Sequence, residues 1–89
     1  MMRRGVVIQN KLGLHARASA KFVGEASRHA CYIGIKRDDI EVNGKSIMGI
    51  MMLAAAKGTT VELIADGDGA EQALDALQAL IDDKFGEGE

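Results

Sequence analysis

From Ala70 to Phe85 the apolar residues Ala70, Ala73, Leu74, Leu77, Leu80, Ile81 and Phe85 recur at helical spacing, so this stretch carries one apolar stripe that another element must cover. Asp68 with Glu71 three residues later reads as a capping box that starts this helix. A second helical stretch runs from Ala16 to about Arg28. Ala16, Ala20 and Val23 are expected on its apolar stripe beside Phe22 and Ala26, with Arg17, Lys21, Gly24, Glu25 and Arg28 on the wet face. A third, short helix is expected to open at Ile47 behind Ser46 as N-cap and to be closed by Gly58. Between these lie segments of strand period. Val6 to Ile8 with its flanks is a short strand, and Cys31 to Lys36 and Asp39 to Val42 alternate, with Ile33, Ile35, Ile40 and Val42 apolar. Arg37-Asp38 suits a tight hairpin between these two, Asn43-Gly44 is a turn, and Thr59 to Ala65 forms the fourth strand, with Val61, Leu63 and Ala65 on one face. The order is βαββαβα. Three helices with one stripe each need a sheet face to cover, which makes a two-layer α/β sandwich the economical solution.

Size and charge narrow the function classes. Eighty-nine residues support one core, so residues 1–89 are read as a single domain, with the glycine- and glutamate-rich tail 86–89 expected to fray. The longest apolar run, Ile47 to Ala56, falls short of the roughly 20 residues a membrane helix requires, and Val6-Val7-Ile8 is too brief for the core of a secretory signal. No membrane insertion is expected. One cysteine, Cys31, cannot pair within the chain, which agrees with a reducing compartment and a cytoplasmic location; it reads as core. A net charge of −2 and three aromatic residues (one Tyr, two Phe) give neither a basic footprint nor a stacking platform for nucleic acid.

The chemistry concentrates at Gly13-Leu14-His15-Ala16-Arg17, where a glycine-bounded loop turns into a helix. The first amides of a helix lack intrahelical acceptors and carry partial positive charge, so an anion there gains hydrogen bonds and field together. A phosphoryl group on the His15 ring would meet the amides of Ala16 and Arg17, with the Arg17 guanidinium sharing its charge. Ile47 to Leu53 is apolar almost all round. With Ile50, Leu53 and Ala54 toward the sheet, Ile47, Met48 and Met51 face water as a soft docking surface for a protein partner.

Two separate stretches, Gly13-Leu14-His15-Ala16-Arg17-Ala18 and Lys45-Ser46-Ile47-Met48-Gly49-Ile50-Met51-Met52-Leu53 after the Asn43-Gly44 turn, carry a resemblance to HPr, the histidine-containing phosphocarrier family of the bacterial phosphoenolpyruvate-dependent phosphotransferase system. The resemblance covers the whole chain. It implies an α+β open-faced β-sandwich, four antiparallel strands in the order 1-4-2-3 with three helices on one face. It further implies that His15 is the phosphoryl carrier through Nδ1, that Arg17 neutralises the phosphate, and that Ile47, Met48 and Met51 dock partners. Enzyme I would be the donor, IIA domains or proteins the acceptors, and HPr kinase/phosphorylase a modifier of Ser46. Many relatives have proline where this chain has Ala18, and the nitrogen branch of the family shares the same carrier chemistry. With Gly24, Ser27 and Gly49 uncharged, mainly Arg17, Lys21 and Lys45 remain to steer an acidic partner. The expectation is a monomeric shuttle without cofactor or metal, not a self-sufficient enzyme.

Competing patterns fail on spacing. Gly44-Lys45-Ser46 sits between strand and helix like the end of a P-loop, but Asp39 occupies the place of the first glycine. Gly67-Asp68-Gly69 lacks the third glycine of a dinucleotide fingerprint, because Gln72 stands there. An adaptor using only the Ile47, Met48 and Met51 face would need no phosphoryl chemistry. His29 reads as an exposed helix-end residue without a role.

Overall fold

The computed structural model describes residues 1–89 and places seven main elements in the order β1 (Met2–Val7), α1 (Ala16–Ala26), β2 (Tyr32–Arg37), β3 (Ile40–Asn43), α2 (Ile47–Met52), β4 (Thr60–Asp66) and α3 (Ala70–Asp82), followed by a 3-10 turn over Lys84–Gly86. The strands form one antiparallel sheet in the order β1-β4-β2-β3. Period-two alternation sends Ile33 and Ile35 of β2, and Val61, Leu63 and Ala65 of β4, into a core shared with the helices. Val6 and Ile8 from the first strand and its exit complete that side. Ile64 points to the opposite face and is buried there too.

Three strand assignments, β2, β3 and β4, move by one residue. Arg37 pairs with Ile40, so the hairpin turns on Asp38-Asp39, and Asp38 takes the left-handed conformation at φ 54°. Ile40, expected on the apolar side, is 59 % exposed at the edge strand, whereas Val42 packs partly against the core. On the open face Tyr32 lies over Gly34, where a Cβ would come within 2.7 Å of the phenol oxygen, and donates a 2.6 Å hydrogen bond to Glu41. That bond, burial and the Glu41 charge, in that order, hold the phenol above its ordinary value of 10.0.

Helix α1 buries Ala18, Ser19, Phe22 and Ala26, leaving Ala16 and Ala20 exposed, so the apolar stripe is rotated from the expected one. Phe22 sets the centre of the face, and Ala18 and Ala26 are its i−4 and i+4 neighbours. Helix α3 keeps its expected stripe, burying Ala70, Ala73, Leu74, Leu77 and Ile81. Its start differs: Gly69 in the left-handed region (φ 80°) is the N-cap, and no side chain caps the helix, so the Asp68–Glu71 capping box does not form. Helix α2 ends at Met52, well before Gly58, and the two carbonyls just past its end are taken up by Arg37, whose Nη1 donates to Leu53 O at 2.8 Å and Ala54 O at 3.0 Å. Ala54, expected toward the sheet, is exposed and left-handed at φ 50°. The end of α3 also departs from expectation. Helix α3 stops at Asp82, and the chain then turns through Lys84, Phe85 and Gly86 at φ 55°, 55° and 74°, which buries the Phe85 ring in the core.

Candidate functional site

Three segments meet around His15. The first is the loop from Asn10 to Leu14. Gly13 is left-handed at φ 67°, and a Cβ there would lie 2.5 Å from Ala55 O, so backbone packs directly on backbone. Leu14 N donates to the same Ala55 oxygen at 2.9 Å and its side chain is buried, which anchors the loop one residue before the histidine.

The second segment is the N-terminus of α1. His15 is the N-cap in extended conformation (φ −77°, ψ −178°), with its carbonyl receiving Ser19 N at 2.8 Å. No side chain caps this helix, and the amides of Ala16 and Arg17 donate to no group of the protein. Two donors with partial positive charge therefore stand beside an imidazole whose side chain is 27 % exposed. The Arg17 guanidinium is exposed and makes no hydrogen bond or ion pair within the chain. An anion held on the ring would find unshared amides and an unshared guanidinium within one helical turn.

The third segment is the tail, which sequence reasoning missed. Glu87 Oε2 lies 2.6 Å from His15 Nε2, and Glu87 Oε1 accepts from Asn10 Nδ2 at 3.0 Å. Asn10 is fully buried and the same Nδ2 donates to Gly13 O at 2.8 Å. Lys21 Nζ donates to Phe85 O at 2.6 Å, and Lys11 N to Glu89 O at 2.8 Å. Burial opposes ionisation of Glu87, but the bonds from Asn10 and His15 and the charges of His15 and Lys21 outweigh it and hold the carboxyl below its ordinary value of 4.5. A pocket of about 290 Å³ remains between these segments, lined by Lys11, Leu12, His15, Arg17, Glu87 and Glu89 among others.

The residues expected to form a second surface lie on α2 and at its N-cap. Ser46 is the N-cap of α2 and its Oγ accepts from Gly49 N at 3.1 Å. Ile50 and Leu53 are buried, whereas Ile47, Met48, Met51 and Met52 are exposed, Met48 by 77 % and Met52 by 76 %. Lys45 is differently used. Its Nζ donates to the carbonyls of His29 at 2.7 Å and Cys31 at 2.9 Å, so the ammonium ties down the loop after α1 and does not stand free in solvent. Lys21 is likewise engaged with the tail, which leaves Arg17 as the unpaired cation of the site. His29 is not an exposed helix-end residue: its ring lies 2.9 Å from Glu25 Oε2 and is only 21 % exposed. Cys31 is buried, as expected. No group of metal-ligating side chains assembles, and no helix is long and apolar enough to cross a membrane.

The geometry agrees with three comparisons. The family model described as PTS HPr component phosphorylation site matches residues 2–83. The phosphocarrier protein HPr of Neisseria meningitidis is 54 % identical over 89 residues, covering all of both chains, and that of Cupriavidus necator is 52 % identical over 89 residues, again covering both completely. Among solved structures, the HPr of Thermoanaerobacter tengcongensis superposes with a TM-score of 0.94 at 48 % identity, covering 98 % of each chain. Strand order, helix placement and full-length identity converge, and the chain belongs to the HPr family, the phosphocarrier proteins of the phosphotransferase system.

Proposed function

We propose that His15 is the phosphoryl carrier, taking the group on Nδ1 from phosphoenolpyruvate-charged enzyme I and passing it to IIA proteins of the sugar phosphotransferase system. The observation that supports this most directly is the uncapped start of α1, where His15 adjoins the free amides of Ala16 and Arg17. Those donors sit where charge accumulates as a phosphoryl group arrives, and Arg17 adds a full positive charge. The exposed Ile47, Met48 and Met51 form the docking face, and Lys21 and Lys45 are its basic docking residues. Their polarisable, flexible side chains suit successive partners of different shape. Ser46 serves as a regulatory phosphorylation site for an HPr kinase/phosphorylase. A phosphate there would put about two negative charges next to Ile47 and Met48.

Phosphorus NMR on the protein mixed with phosphoenolpyruvate and enzyme I tests the reading. A phosphoramidate resonance should grow in, be absent in His15→Ala, and decay on adding a purified IIA protein. Arg17→Ala should keep the fold, because its guanidinium has no partner in the chain, yet slow uptake by about 10²-fold if one charged donor to the transition state is lost. No resonance with the wild-type protein and a competent enzyme I would refute the assignment.

A further inference from the structure

Glu87 bridges two groups whose orientation is fixed independently. The buried Asn10 amide points its NH2 at both Gly13 O (2.8 Å) and Glu87 Oε1 (3.0 Å), so Asn10 presents a donor, not an acceptor, to the carboxylate. The other carboxylate oxygen lies 2.6 Å from His15 Nε2. The tail carrying Glu87 is held by the buried Phe85 ring and the Lys21–Phe85 bond, so its position does not depend on His15. An ionised carboxylate can only accept hydrogen bonds. The ring proton must then reside on Nε2, and Nδ1, which makes no hydrogen bond in the chain, carries the lone pair.

Resting on the carrier reading of His15, we infer that Glu87 is the positioning residue that selects the Nε2–H tautomer and thereby presents Nδ1 as the nucleophile. As the Nδ1 lone pair forms its bond to phosphorus, the bond from phosphorus to the donor's leaving group breaks and that electron pair departs with the donor. Nε2 keeps its proton and Glu87 exchanges none. The ring becomes a cation in the product, so the Nε2–H···Glu87 bond turns charge-assisted as transfer proceeds and favours the transition state over the free carrier. The charged groups around this bond are Lys21, Lys11, Arg17 and Glu89. Charge balance in the pocket is thus set by named side chains of the loop, of α1 and of the tail.

Replacing Glu87 by glutamine gives a sharp test. Asn10 would still donate to the amide oxygen at the Oε1 position, which leaves the glutamine NH2 facing His15 Nε2. That NH2 donates, so the ring proton must move to Nδ1 and block the nucleophile. Nitrogen-15 NMR of the neutral ring should show Nε2 protonated in the wild type and Nδ1 protonated in Glu87→Gln, with dispersed backbone amides in both. Phosphoryl uptake from charged enzyme I should fall about tenfold or more in Glu87→Gln, because the wrong histidine tautomer withholds the nucleophilic lone pair. Glu87→Ala, which imposes neither tautomer, should lie between the two. A merely structural role predicts the opposite order, since glutamine preserves shape and alanine does not. A wild-type ring protonated on Nδ1, or glutamine tolerated better than alanine, would overturn the inference. Absence of any uptake by the wild type would instead overturn the carrier reading, while the nitrogen shifts would still decide where the proton sits.

Discussion

Gly13 and Ala55 meet backbone to backbone: a single added carbon at residue 13 would stand 2.5 Å from the Ala55 carbonyl oxygen. The contact joins the loop before α1 to the segment after α2, and His15 follows two residues later. Orientation of the imidazole therefore rests on a junction between two connections that share no element of secondary structure.

Gly13→Ala should lose stability on two counts, the left-handed φ of 67° and the collision with the main chain. The combined cost is about 1–3 kcal/mol, which lowers the melting temperature of a domain this small by roughly 4–8 °C per kcal/mol. Urea denaturation monitored by circular dichroism checks it.

Ser46→Ala removes the acceptor for Gly49 N and should cost about 1 kcal/mol, seen as a lower urea midpoint. Ser46→Asp keeps a capping oxygen and should retain wild-type stability. It nevertheless places a negative charge beside the exposed Ile47 and Met48, so calorimetric titration with enzyme I should show weaker binding. Equal loss of binding in both variants would argue against charge as the cause.

Lys45 separates steering from structure. Its ammonium satisfies the carbonyls of His29 and Cys31, so Lys45→Ala should destabilise by about 1–3 kcal/mol through the loss of charge-assisted bonds. The salt dependence of partner association should change less than it does in Arg17→Ala, whose charge is free. Stopped-flow association at several ionic strengths distinguishes the two.

The lowered titration of Glu87 fixes the sign of a pH effect. A carboxyl that titrates lower in the folded state stabilises fully above its ordinary value of 4.5, and the contribution vanishes as pH falls through the folded value. Acid should therefore release the tail before the sheet. Acid-unfolding curves of wild type and Glu87→Gln should converge below that window and separate above it.

The sheet, the three helices and their order were legible because strand and helix periods are strong in Ile33–Ile35, Val61–Ala65 and Ala70–Ile81. So was the pairing of His15 with a helix start. Alanine-rich α1 misled, since alanine fits either face and only Phe22 identifies the buried one. The capping box at Asp68 lost to a left-handed Gly69, where backbone geometry set the start of the helix before any side chain could. Phe85 falls on the helical repeat of α3 yet reaches the core from a different turn, because the helix has already ended. Asn10 and Glu87 are 77 positions apart and obey no period. A buried asparagine in a loop needing a partner was the one available signal, and it becomes visible only once the fold brings the tail across.

The tyrosine stacked on Gly34 has a practical corollary. It is the chain's sole tyrosine, there is no tryptophan, and its phenol is tied to Glu41 on the side of the sheet away from the helices. Tyrosine emission and phenolate absorbance therefore report on the surroundings of Tyr32 in β2, between Glu41 of β3 and Asp66 of β4, an intrinsic optical gauge that leaves the phosphoryl chemistry unperturbed by any attached dye.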